Sequence, residues 1–305
     1  MPFIFGPVPS RRLGLSLGVD MIPLKTCTYD CLYCQVGKTS CQIIEPKPFA
    51  PIHEVIGELE KTLEKASPDS ITLAGSGEPT IHSELDQLIS LIKEMTDIRI
   101  ALLTNGSLFW KEEIRERVLN VDILMPTLCT VFENTFRAIH RPHQGLNLPV
   151  IIKGLKELRL DYRGLIFLEV VLLSGFNDSE RELEGLKRVI DEISPEKIQL
   201  NTVVRPPSDS RAISIDIERL EDIKMFFGEK AEIIAHAPLK KRGGKHDSRI
   251  AAIVEMSRRR PVTAVDIAGV LNINLKETVS LLKGLLLKGV IREQEHGGEV
   301  FYVVD

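Results

Sequence analysis

From residue 15 to about residue 235 of this 305-residue chain, short apolar runs alternate with segments of helical period, and few folds accommodate that alternation. The runs at 15–21, 70–74, 99–104, 122–126, 165–173 and 197–202 have the length and apolar content of strands. Helical spacing fills about 52–66, 83–95, 111–119, 133–139, 149–159 and 179–193. Strands separated by helices pair in parallel, because each helix carries the chain back to the end where the next strand starts. Six such units stop short of the eight that close a barrel. The expected fold is α/β, a partial (β/α)6 TIM-like barrel, with a further short strand at 231–235. Ser83 and Ser179 stand where helix N-caps are expected, and Glu182 gives the second the form of a capping box.

A different pattern starts near residue 236. The stretch 236–246 carries Pro238, Gly243-Gly244 and clustered Lys and Arg, the composition of a linker. Helices are expected at 247–257, 264–271 and 275–288, then strands at 290–292 and 300–304 around Gly297-Gly298. That is the order of a small winged helix-turn-helix. The domains are therefore a core at 1–235, a linker at 236–246 and a winged-helix domain at 247–305. In its third helix Leu275, Val279, Leu282 and Leu286 form an apolar face, and Lys276, Lys283 and Lys288 are left for the surface.

Charge is divided unevenly between these parts. The formal net charge is −4, yet residues 240–305 hold 12 Lys and Arg against 8 Asp and Glu, a net of +4 that leaves −8 on residues 1–239. A basic unit on an acidic body points to a polyanionic partner such as RNA, with a solvated basic surface as the alternative. The start of the chain lacks the basic and apolar regions of a secretory signal, and no run of about 18 apolar residues is present to span a bilayer. A cytoplasmic location with no membrane partner is expected.

Four of the five cysteines fall between positions 27 and 41, and Cys27, Cys31 and Cys34 are spaced C-x3-C-x2-C. Soft thiolates this close suit iron–sulfur or zinc coordination. A closed tetrahedral zinc needs a fourth ligand, for which Cys41 is the candidate. A cubane cluster on three thiolates leaves one iron open to a small molecule instead. In parallel barrels the chemistry sits on loops after the C-terminal strand ends. Here those loops carry the cysteines, Gly75-Ser-Gly-Glu-Pro-Thr80, Asn105-Gly106, Cys129, Ser174-Gly-Phe-Asn-Asp178 and Arg205-Pro-Pro207.

The cysteine loop, the Gly75-Ser-Gly-Glu78 loop and the Thr104-Asn105-Gly106 strand end together resemble the radical S-adenosylmethionine (SAM) superfamily. Phe5-Gly-Pro-Val-Pro-Ser-Arg-Arg12, Gly175-Phe-Asn-Asp178 and Gln199-Leu-Asn-Thr-Val-Val-Arg-Pro-Pro207 resemble, more narrowly, a poorly characterised prokaryotic family of radical SAM iron–sulfur oxidoreductases. That family is related to the wyosine tRNA-modifying enzyme and to glycyl-radical-enzyme activases. The resemblance implies a 4Fe-4S cluster on Cys27, Cys31 and Cys34, with SAM chelating the fourth iron and Cys41 a bystander. It further implies cofactor contacts from Tyr33 near the adenine, from Gly75, Ser76, Gly77 and Glu78 around the SAM ammonium, and from Thr104 and Asn105. An external one-electron donor of the flavodoxin or ferredoxin type would reduce the cluster. SAM would be cleaved to methionine and a 5′-deoxyadenosyl radical, which takes a hydrogen from the substrate.

The substrate itself is less legible. Arg11, Arg12, His140, Arg141, His143 and Arg205 are basic groups expected together near the rim, where an anionic substrate would bind. Glu169 interrupts an apolar strand and is a candidate inward-facing acid. Cys129, where related proteins commonly have Asp, is either a small buried hydrophobe or a hydrogen donor to the radical. Three functions compete: an RNA-modifying radical enzyme using the winged helix as its grip, a glycyl-radical-type activase acting on a protein, and a non-catalytic iron–sulfur regulator that binds DNA.

Overall fold

The computed structural model describes residues 2–235 and 249–304, so the expected linker at 236–246 lies outside the described residues. The chain opens with an antiparallel hairpin, β1 (Ile4–Ser10) and β2 (Gly14–Val19). Two short parallel strands, β3 (Thr26–Cys27) and β4 (Cys41–Gln42), bracket the cysteine loop. Alternating elements follow: α1 (Ile52–Leu63), β5 (Ser70–Leu73), α2 (Leu85–Met95), β6 (Arg99–Thr104), α3 (Glu112–Arg117) and β7 (Ile123–Pro126). Next come α4 (Glu133–His140), α5 (Leu148–Asp161), β8 (Leu165–Val171), α6 (Glu180–Ile193), β9 (Lys197–Asn201), α7 (Ile217–Phe227) and β10 (Ala231–Ile233).

Eight of these strands form one sheet in the order β1-β2-β5-β6-β7-β8-β9-β10, parallel throughout except at the β1–β2 hairpin. Every residue of β5 and β7 is buried, as expected where a parallel sheet is covered on both faces. The helices face it with single apolar stripes, as α1 does with Ile52, Val55 and Leu59. The sheet is not flat. Arg12, in the β1–β2 turn, donates at 3.4 Å to Glu169 Oε1 on β8 and to Gln199 Oε1 on β9. Four strand spacings would separate β2 from β8 by about 19 Å in a flat sheet, so the sheet curls, consistent with the expected partial barrel.

The six expected strands and helices are present, with ends shifted by a few residues. Several expectations are corrected. Strand β1 was not foreseen because Pro7 and Pro9 interrupt it; it lies at the sheet edge, with a register shift between Phe5 and Val8, where proline is tolerated. Helix α7 was also missed, although Asp216 caps it and Leu220, Ile223 and Phe227 are buried at helical spacing. Ser83 does not cap α2, whose N-cap is Glu84 without a side-chain bond. Ser179 does cap α6, but Glu182 turns away from the capping box to accept from Thr130 Oγ1 and Thr135 Oγ1, each at 2.6 Å.

The C-terminal part comprises α8 (Arg249–Arg259), β11 (Val262–Thr263), α9 (Ala264–Leu271), α10 (Leu275–Leu287), β12 (Arg292–His296) and β13 (Glu299–Val303). Its three strands form their own sheet in the order β11-β13-β12. The strand expected at 290–292 instead starts at Arg292. The inner face of α10 is Thr278, Leu282 and Leu285, and Leu275 is exposed. Ile253, Val262, Ile267, Leu271, Leu282 and Leu285 belong to a second apolar cluster separate from the large one around the main sheet. Among the described residues no helix is long and apolar enough to cross a membrane.

Polar contacts tie this part to the main sheet. Arg205 Nη1 donates to Asp266 Oδ2 at 2.8 Å and to the Pro261 carbonyl at 2.6 Å. Arg259 donates to Asp20 Oδ2 at 2.7 Å and to the Pro2 carbonyl at 2.6 Å, with its guanidinium over the Phe5 ring. Burial pushes the Asp266 carboxyl up, but the charge and hydrogen bond of Arg205, the charge of Arg260 and the Thr263 N–H hold it below its ordinary value. A carboxyl held low by folding adds stability that is complete above its unfolded pKa and is lost as pH falls through the folded one. Asp266→Asn is therefore expected to cost about 3 kcal/mol near neutrality, the scale of a broken buried pair. The gap to the native chain should begin to close below about pH 4. Urea unfolding at pH 7 and pH 3 measures it, and a gap of equal size at both contradicts the assignment.

Candidate functional site

The loop from Cys27 to Cys41 is held on several sides. Leu32 N–H donates to the Ile139 carbonyl at 2.9 Å, His143 N–H to the Thr28 carbonyl at 2.9 Å, and Ser208 Oγ to the Cys31 carbonyl at 2.7 Å. Within the loop, Cys34 N–H closes a turn onto the Cys31 carbonyl. Cys27, Cys31 and Cys34 are half-buried, and Cys41 is exposed. Burial pushes the Cys27 thiol up to about 12, and the Glu78 charge and Cys34 push the same way. Burial also raises Cys31, followed by the charges of Cys27 and Cys34. The thiolates therefore oppose one another, and Lys25 near Cys34 offsets only part of this. Three soft ligands in need of positive charge on a fixed loop are a donor set that fits an iron–sulfur cluster. Among the described residues no three His, Cys, Asp or Glu side chains converge on a single metal ion, so a mononuclear zinc using Cys41 has no geometric support.

The loop after β5 is packed against this one. A Cβ at Gly77 would lie 1.8 Å from the Thr26 carbonyl oxygen, and one at Gly75 2.2 Å from Asp20 Cγ, so both positions exclude any side chain. Asp20, just past β2, fixes the turn by accepting from Ser76 N–H at 3.1 Å and Ser76 Oγ at 2.6 Å. Glu78 is buried. Its Oε1 accepts from Thr80 N–H, Thr80 Oγ1 and Thr104 Oγ1, and its Oε2 from Asn105 N–H at 2.7 Å. Burial raises the Glu78 carboxyl while these donors draw it back down. Oε2, with one bond, keeps acceptor capacity. Asn105 then reaches the cysteine loop, donating through Nδ2 to Thr28 Oγ1 at 2.7 Å and to Cys27 Sγ at 3.5 Å. Glu78, Thr104, Asn105, Thr28 and Cys27 thus form one hydrogen-bonded network, against which the Gly75–Gly77 turn is packed.

The other expected residues divide into separate places. Tyr33 OH stands 3.5 Å from His140 Nδ1 and 3.9 Å from Cys129 Sγ. His140 is buried against Tyr29, Tyr33 and Phe136, 3.3 Å from Cys31 Sγ, and burial pushes it down to about 3, so it is neutral near pH 7. Arg141 is committed to Asp30 and Asp209. His143 Nδ1 accepts from Gly145 N–H at 3.1 Å. The six basic groups expected together are therefore split: His140, Arg141 and His143 buttress the cysteine loop, and Arg11, Arg12 and Arg205 line a cavity on the inner face of the sheet. Cys129 is buried in an apolar cluster with Leu32, Ile139 and Val171, and burial pushes its thiol up to about 12.

Glu169 does face inward, where it accepts from Arg12 at 3.4 Å, Asn201 at 2.9 Å and Thr127 at 3.2 Å. Asp20, Thr28 and Arg259 belong to the same surroundings and were not foreseen. Asp20 reads locally as a strand end, and its pairing with Arg259 spans 239 positions of sequence.

The family model of the radical SAM superfamily matches residues 21–184. UPF0026 protein MJ1312 of Methanocaldococcus jannaschii is 32% identical over 316 residues, covering 99% of this chain and 96% of that protein. A Brachyspira hyodysenteriae protein named GTPase Obg is 36% identical over 306 residues; the match covers 99% of this chain but spans only 45% of that protein's length. The solved structure of TYW1 with a lysine-pyruvate adduct bound is similar with a TM-score of 0.55 at 15% identity, over 74% of this chain and 76% of that one. At that identity the likeness is one of fold.

Proposed function

The chain belongs to the radical SAM superfamily, and on that premise we propose that it is an enzyme that reductively cleaves SAM to generate a radical on a bound substrate. The observation that carries this reading is the network joining Cys27, Asn105 and Glu78, with the Gly75–Gly77 turn packed directly against the start of the cysteine loop. Cys27, Cys31 and Cys34 would hold a 4Fe-4S cluster, and the Gly75–Glu78 turn would hold the SAM amino group beside it. When bound, cluster and SAM together supply one-electron cleavage of a carbon–sulfur bond to a 5′-deoxyadenosyl radical.

The chain's own part is to bind, orient and exclude water. Glu78 offers Oε2 to an ammonium, while its four donors fix the carboxylate in place. Asp20 holds the Ser76 turn, and Asn105 fixes the distance between that turn and Cys27. The buried Ala101, Ile123 and Met125, with Leu103 and Phe167 packed against them, keep the inner face of the sheet apolar, which suits a reactive intermediate. Reducing electrons would come from an external donor.

Residues 1–235 form the catalytic core in this reading, and the unit from 247 onward is a winged helix, given its order of three helices and a three-stranded sheet. That unit is docked on the core through Arg205, Arg259 and helix α9 against β1, which supports a role in the core's own chemistry over an RNA grip. Anaerobic reconstitution with iron and sulfide tests the cofactor assignment. About four irons per chain are expected, with a reduced-state electron paramagnetic resonance signal that changes when SAM is added. A single bound metal ion, or a signal indifferent to SAM, overturns the reading.

A further inference from the structure

We propose that the cavity between the inner face of the sheet and helix α8 is the substrate site, and that it takes a small organic anion, a phosphate ester or a carboxylate, held between Arg11 and Arg260. This inference rests on the radical SAM reading for its chemistry, though not for its binding test. The cavity measures about 520 Å³, within the range of about 300–1,000 Å³ usual for small ligands. One wall is the sheet, with Ser16, Thr72 and Gly75; the opposite wall is α8, with Ala252, Met256 and Arg259. Gly75 belongs to the turn assigned to SAM, and Gln35 and Val36, directly after Cys34, line the same space. A ligand there shares a compartment with the chemistry.

Charge in the cavity is unbalanced. Five arginines line it: Arg11, Arg12, Arg205, Arg259 and Arg260. Three have a carboxylate partner, Arg12 with Glu169, Arg205 with Asp266 and Arg259 with Asp20. Arg11 and Arg260 are half-buried, and neither guanidinium has an ion pair or hydrogen bond among the described residues. Burial and then the neighbouring Arg205 push both down, Arg260 to about 10, with Asp266 opposing in each case and Glu299 a weak further counter-charge at Arg11. Two guanidinium forks left short of negative charge in a lined cavity are a receptor for anionic oxygens. Glu255 also lines the space; one of its oxygens pairs with Arg258, and the other, Oε2, is buried without a partner. It is placed to accept a hydroxyl or amino donor on the same ligand. Because Arg260 follows α8 directly, the C-terminal unit supplies part of the site, and with α8 as a wall the site admits a small molecule rather than a polymer.

The test is binding of inorganic phosphate and of malonate, in separate calorimetric titrations of the full chain. Saturable binding of one of them is expected, and which one binds distinguishes a phosphate ester from a carboxylate. Arg11→Met and Arg260→Met should each weaken it by tenfold or more, as for loss of a charge-assisted contact. Arg260→Lys should restore part of the loss, and Arg249→Met, outside the cavity, should have no effect. Unchanged thermal unfolding of the variants separates lost binding from lost folding; Arg260→Lys serves if Arg260→Met does not fold. Absence of binding by both anions, binding indifferent to Arg11 and Arg260, or tighter Arg260-dependent binding of a transfer RNA than of either anion would overturn the proposal. These titrations need neither reductant nor SAM, so phosphate binding without SAM cleavage would defeat the radical reading and leave the anion site standing.

Discussion

Replacing any one of Cys27, Cys31 and Cys34 with alanine is expected to abolish both cluster assembly and SAM cleavage, whereas Cys41→Ala retains both. The three thiols lie on one loop pinned by Ile139, His143 and Ser208, which fixes their places as a set. With one ligand gone, a second iron of the proposed cluster would lose its anchor, and the remaining two thiolates would hold it with two corners open to solvent. Cys41 is exposed on β4, in register with Thr26 and not with Cys27, whereas the other three are half-buried. Iron and sulfide analysis with visible absorbance after reconstitution reads the outcome. A Cys41→Ala protein that fails to hold iron would restore the four-thiolate alternative and contradict the open cluster.

Glu78→Ala is expected to be the most damaging change outside the cysteines. It strands four donors, Thr80 N–H, Thr80 Oγ1, Thr104 Oγ1 and Asn105 N–H, in a buried place. Donors left unpaired away from water cost about 1–3 kcal/mol each when nothing relaxes, and the two hydroxyls can turn to other acceptors. A loss of about 3–5 kcal/mol on urea unfolding is therefore expected. SAM affinity, measured by equilibrium dialysis on protein that remains folded, should fall at least tenfold because a charge-assisted acceptor is lost. Glu78→Gln separates the two effects: it fills the same volume, places an amide beside donors, and removes the charge. A Glu78→Ala protein with native stability would mean that the network is not what holds the turn.

Features that rest on local pattern were legible in the sequence. Parallel βα units announce themselves through apolar runs bounded by turn residues, and the cysteine spacing is readable because metal ligands on one loop are close in sequence. Ser179 was readable as a cap for the same reason. Pairings across the fold were not. Strand β1 is concealed by prolines that only an edge position permits, and α7 has its cap and stripe beyond the turn-forming Pro206-Pro-Ser-Asp-Ser210 stretch that interrupts the alternation. The inner face of α10 differs from the expected one because tertiary packing buries Thr278 and Leu285 and leaves Leu275 exposed. The basic residues were read as one collection because sequence gives no direction to a side chain. Folding sends Arg141 to Asp30 and Asp209, and Arg205 to Asp266. Asp20 and Arg259 had no local signal at all.

Cleavage of SAM through an open iron–sulfur cluster is the activity proposed for this chain. Its most direct test is 5′-deoxyadenosine formation by the anaerobically reconstituted full chain with SAM and dithionite, followed by chromatography with mass detection. The native chain should form 5′-deoxyadenosine, and Cys27→Ala, Cys31→Ala and Cys34→Ala should form none. A native chain that holds a full complement of iron and binds SAM yet forms no 5′-deoxyadenosine would contradict it.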